Sequence, residues 1–102
     1  MLRLEVVARD AFHASVNAAS EAIMRAGGWV SGHSLLSDAM AVLNFEIPGD
    51  RLRELVDELE VRGLKTELPG EPSNSPKEIA VRLTLFFTQG NGDLRREVPP
   101  FQ

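Results

Sequence analysis

The order of sequence patterns predicts one α+β domain in which two helices pack on a single sheet. Three observations predict it. Segments of alternating apolar and polar residues mark strands, because side chains in a strand point to opposite faces in turn. Two longer segments repeat apolar residues every three or four positions, which is the period of an amphipathic helix. These patterns follow one another as strand, helix, strand, strand, helix, strand, with one more strand pattern beyond.

The first strand is expected over Leu2–Arg9. Leu2, Leu4, Val6 and Ala8 form an apolar face, and Arg3, Glu5, Val7 and Arg9 a mixed one. A helix follows over Asp10–Ala26, with Asp10 as its expected N-cap and Phe12, Val16, Ala19, Ile23 and Ala26 on its buried stripe. Its many alanines imply close approach to the sheet. Gly27–Gly28 ends it, because glycine readily takes the left-handed conformation past a helix terminus.

The second strand (Trp29–Leu36) is irregular, and Gly32 within it marks a bulge or a close backbone approach. Ser37–Asp38 is expected to turn the chain into the third strand, Ala39–Ile47, whose core face is Ala41, Leu43, Phe45 and Ile47. Pro48-Gly49-Asp50 stops that strand and caps a second helix, Arg51–Arg62. Leu52, Leu55, Val56 and Leu59 form its buried stripe, Glu58 and Arg62 are spaced to pair, and Gly63 closes it. Leu64–Leu68 is expected as a short fourth strand. The order is then the β-α-β-β-α-β of a split βαβ, or ferredoxin-like, sandwich.

Residues 1–68 make up the expected core of this single domain, and residues 76–102 an appended strand or hairpin. A loop rich in proline, serine and glycine spans Pro69–Lys77. Beyond it, Ile79, Val81, Leu83, Leu85 and Phe87 alternate through Glu78–Thr88, the strongest β pattern in the chain. We expect this strand to hairpin back beside the fourth, since sequential strands are usually neighbours; the loop is also long enough to carry it to the opposite edge or across to a partner subunit. A turn at Gln89–Asp93 and a return strand near Leu94–Val98 are expected to follow. Asn91-Gly92-Asp93 before Arg95–Arg96 lacks the spacing of a phosphate loop and reads as part of that turn.

Composition excludes several classes of function. The 102 residues suit one domain, and 43% hydrophobic with 25% charged residues is ordinary for a globular protein. No apolar run approaches the roughly 20 residues of a membrane-spanning helix, and the charged N-terminal segment is expected to be a strand and not a signal peptide. A cytoplasmic location is the expectation. The absence of cysteine removes disulfides and sulfur-ligated metals. The net charge of −4 opposes nucleic-acid binding, and the first and third strands lack the outward aromatics that an RNA-binding sheet uses. No cofactor or metal site is expected, because His33 and Asp38 near the hairpin supply too few ligands.

The segment Leu4–Leu68 resembles an ACT domain, a small regulatory module of amino-acid metabolism. The resemblance is carried by LEVVARD, by the helix ending in RAGGWV, by the strands through AVLNFEIPGD and by RLRELVDELEVRG. ACT domains often carry Asp-x-Pro-Gly after the first strand. Here Arg9-Asp10-Ala11-Phe12-His13 retains only the acidic residue. The resemblance implies a non-catalytic regulatory or interaction module, a homodimer formed through its sheet, and a small molecule such as an amino acid at a subunit interface.

The residues expected to meet such a ligand are Arg9, Asp10 and His13, Gly27 and Gly28, and Trp29. Arg9, Asp10 and His13 flank a helix N-terminus, which favours anions. Trp29 could stack on a ligand. Each has a structural alternative: a cap, a surface side chain, a helix stop or an edge-sealing aromatic. Arg3, Glu5, Glu46 and Arg82 are assigned to the outer sheet face, where opposite charges on neighbouring strands are expected to pair. No catalytic residue is assigned. The alternative is a small dimeric ferredoxin-like enzyme, of monooxygenase or isomerase type, with its pocket between sheet and helices.

Overall fold

The computed structural model describes residues 1–9, 11–68, 70 and 75–88. Among these, four strands and two α-helices follow in the order β1 (Leu2–Ala8), α1 (Phe12–Arg25), β2 (Trp29–Ser37), β3 (Met40–Pro48), α2 (Leu52–Val61) and β4 (Glu78–Phe87). The fold is α+β, with one mixed sheet ordered β1-β4-β3-β2. β4 runs parallel to β1 and antiparallel to β3, and β3 is antiparallel to β2.

Two expectations about the end of the chain are corrected. Leu64–Leu68 is not a strand. It follows the outer side of β1, held by Thr66, whose hydroxyl donates to the Glu5 carbonyl at 2.8 Å. β4 is neither appended at an edge nor a hairpin partner of that segment. It sits in the middle of the sheet, between β1 and β3. The reason is burial. Val81, Leu83, Leu85 and Phe87 all point into the core, each contributing about 1.5–3 kcal/mol once removed from water. A central strand is also bonded along both edges, so its backbone groups are satisfied. The turn and return strand expected over Gln89–Val98 lie outside the described residues.

The core lies on one face of the sheet. Leu4, Val6 and Ala8 of β1, and Ala41, Leu43, Phe45 and Ile47 of β3, meet Ala19, Ala22 and Ile23 of α1 and Leu52, Leu55 and Leu59 of α2. The strand phases of β1 and β3 are as expected. On the helices the buried stripe is rotated slightly. Ser15 and Ala22 are buried, whereas Phe12, Val16 and Val56 are only partly so. Small residues let α1 approach the sheet, and the larger side chains splay to its flanks.

Both helices end in a Schellman motif, in which two amides past the terminus return to carbonyls of the last turn. The Gly28 and Gly27 amides donate to the Ile23 and Met24 carbonyls at 2.9 and 3.1 Å, and the Leu64 and Gly63 amides to Leu59 and Glu60 at 2.9 Å each. Gly27 and Gly63 take the positive φ that this geometry requires, 93° and 82°. Arg62 then ties the helices together, reaching Glu58 at 2.6 Å and Glu21 of α1 at 3.7 Å.

The N-termini depart from expectation. Ala11 occupies the N-cap position of α1 and offers no side-chain cap; Asp10 lies outside the described residues. Asp50 does not cap α2. A short 3-10 turn, Gly49–Arg51, precedes that helix instead, and its Gly49 and Asp50 amides donate to the Lys77 and Ser75 carbonyls at 2.9 and 2.8 Å. The chain leading into β4 therefore satisfies the amides that a capping side chain would otherwise take. The β2–β3 turn is Asp38–Ala39, one residue later than expected, with the Ala39 amide donating to the Ser37 hydroxyl at 3.0 Å.

Candidate functional site

Both helices cover one side of the sheet, the other side is left uncovered by the described residues, and strand register arranges its residues in rows. At one end Val7, Phe86 and Met40 are neighbours across β1, β4 and β3. Val7 is 52% exposed, a high value for an aliphatic side chain in the body of a strand. The next row holds Glu5, Thr84 and Val42, and the one after it Arg3, Arg82 and Asn44. Last come Ala80, Glu46 and Trp29. The face thus passes from apolar at one end to charged at the other.

The four charged residues assigned to this face do lie on it, but their pairing differs from expectation. Arg3 stands directly beside Arg82, like charge against like. Among the described residues neither arginine forms an ion pair. Arg82 donates from Nε to the Asn44 side-chain oxygen at 3.1 Å. Opposite charges here sit on successive rows, as Arg3 and Glu5 do on β1, and not side by side on neighbouring strands. Asn44 and Thr84 were not singled out from the sequence. Only register reveals their place beside the arginines.

The residues expected to meet a ligand fall into two groups at opposite ends of α1. Arg9 and His13 lie exposed near its start, His13 edge-on to Phe12 with ring centroids 5.1 Å apart. Gly27, Gly28 and Trp29 lie past its end. The helix has 14 residues, so the groups are separated by about 20 Å at the usual rise per residue. A single chain does not bring them together.

The second group has a structural explanation. Gly27 supplies the positive φ of the Schellman motif. Gly28 lies against β3, where a Cβ would come within 2.7 Å of the Glu46 carbonyl oxygen. Arg51, which the sequence reading passed over, donates from Nε to the Ala26 carbonyl at 3.2 Å and pairs with Glu54 at 3.4 Å. It covers the helix end with a cation, where the helix dipole favours one. Trp29 opens β2 on the uncovered face and is 43% exposed.

The edges of the sheet also differ. The β1 side is lined by residues 64–68, whereas β2 carries exposed Leu35 and Leu36 at 55% and 60%. His33 lies exposed on the same strand. No group of three or more potential ligands that could hold a metal occurs among the described residues, and no helix there is long and apolar enough to cross a membrane. No family model, curated protein or solved structure matches the chain.

Proposed function

We propose that this chain is a non-catalytic interaction module of ACT-like type that pairs with a second copy through the uncovered face of its sheet. The observation that carries the reading is the apolar row Val7–Phe86–Met40 on the side away from both helices, with Val7 exposed and Phe86 and Met40 half-buried. A sheet buried on one face only leaves such a row in water, and a symmetric dimer is the commonest way for a chain to cover its own surface. The ferredoxin-like order supports the same reading: β1 and β2 run in the same direction with antiparallel β3 between them. In this reading β4 is a further strand inserted into that framework. A small molecule such as an amino acid would then bind at the contact between copies. A ligand touching both Arg9–His13 and Gly27–Trp29 would need one group from each subunit.

Sedimentation velocity over a concentration series tests the association. The wild-type chain is expected to sediment as a dimer, and Val7→Lys, which places a charge in the apolar row without entering the core, as a monomer. A wild-type chain that stays monomeric at high micromolar concentration overturns the reading. A thermal-shift screen of amino acids tests the ligand separately.

A further inference from the structure

From the Arg3–Arg82–Asn44 row we infer a binding site for an oxyanion, a carboxylate or phosphate group, on the uncovered sheet face. Like charges directly opposite on neighbouring strands destabilise a sheet, and neighbouring strands are only about 4.8 Å apart. Arg3 and Arg82 occupy such a pair of positions, and no carboxylate neutralises either among the described residues. An oxyanion accepting from both guanidinium groups removes this repulsion.

The geometry favours a ligand over bulk counterions. Asn44 accepts from the Nε of Arg82, which fixes the plane of that guanidinium. Its terminal nitrogens remain to donate, and a planar fork of donors matches a carboxylate or phosphate. Thr84 supplies a hydroxyl one row away. Gly32, beside Asn44 on β2, has no described residue within 4 Å of where a Cβ would stand, so among the described residues that flank of the row is open. Glu5 and Glu46 lie one row to either side. They limit how much negative charge the site accepts and favour a small ligand with its anionic group over the arginines.

The site goes beyond the self-association reading and stands whether the chain is single or paired. In the paired form the oxyanion would lie at the contact between copies. The test is nitrogen-15 NMR of the arginine Nε–Hε groups in the full chain. Inorganic phosphate and succinate are titrated separately at constant ionic strength, with sodium chloride as the control. Saturable shifts at Arg3 and Arg82 with either probe are expected, and the probe that binds more tightly names the source. Arg82→Gln and, separately, Arg3→Gln should each weaken binding about tenfold or more, the loss of a charge-assisted hydrogen bond. Arg53→Gln, on the exposed side of α2, should leave it unchanged. Equal responses to chloride and to both probes overturn the site. So do arginine shifts that follow protein concentration and ignore both probes, because the pair then faces the carboxylates of a second copy. Sedimentation of the same samples reads association independently, so either proposal can fail alone.

Discussion

β4 and β2 are strands of nearly equal length, ten residues and nine, with opposite fates. β4 alternates without interruption and lies at the centre of the sheet, with Val81, Leu83 and Leu85 fully buried. β2 alternates poorly and lies at the edge. Its register against β3 shifts between Val30 and Gly32 and again between Leu35 and Ser37, and its leucines face solvent. Unbroken period-two patterning is needed where one face is buried in the core and both edges are bonded. At an edge, bulges are tolerated and hinder unwanted pairing.

The strongest way to break this comparison is to remove β4. A chain truncated before Pro76 loses the strand that joins β1 to β3, and with it the Lys77 carbonyl that accepts from the Gly49 amide. It should be unfolded or insoluble by circular dichroism and gel filtration. A soluble truncated chain with a cooperative melt would mean that β1 can pair with β3 directly and that β4 is dispensable.

Single substitutions sharpen the contrast. Leu83→Ala, at the buried centre of β4, should cost about 2–5 kcal/mol in chemical denaturation. Gly28→Ala should cost about 1–3 kcal/mol, because the added methyl meets the backbone oxygen of Glu46 and a backbone atom yields only if the strand shifts. Gly63→Ala, which needs a positive φ but has open space around it, should cost about 1 kcal/mol. The smallest effect is expected at Leu36→Lys on β2, within about 0.5 kcal/mol of wild type. A loss there comparable to that of Leu83→Ala would show that the β2 edge is covered by something beyond a single chain.

Much of the fold was legible because each element carried its own period. Leu4, Val6, Leu43 and Phe45 were assigned to the core from alternation, Leu55 and Leu59 from helical spacing, and all are buried. The glycines at both helix ends marked their stops. The site was far less legible. Arg9 and His13, and Gly27 to Trp29, attracted attention because they flank helix ends, yet those ends are a helix length apart. The row that gathers Arg3, Arg82 and Asn44 draws on three strands, and its arginines lie 79 positions apart in the chain.

The sequence by itself determined which strand residues turn inward, where the helices stop and that Glu78–Thr88 must be a strand. These depend on local period and on backbone preference, both written into a few neighbouring residues. Only the tertiary structure decided where that strand goes. The backbone pairing of a strand is nearly indifferent to which neighbour provides it, so local pattern cannot choose between an edge and the centre. The choice rests on burial summed over the whole sheet, which favours the most apolar strand in the middle. It also decided that Leu64–Leu68 would line β1 without joining the sheet, and that two arginines far apart in the chain would stand side by side.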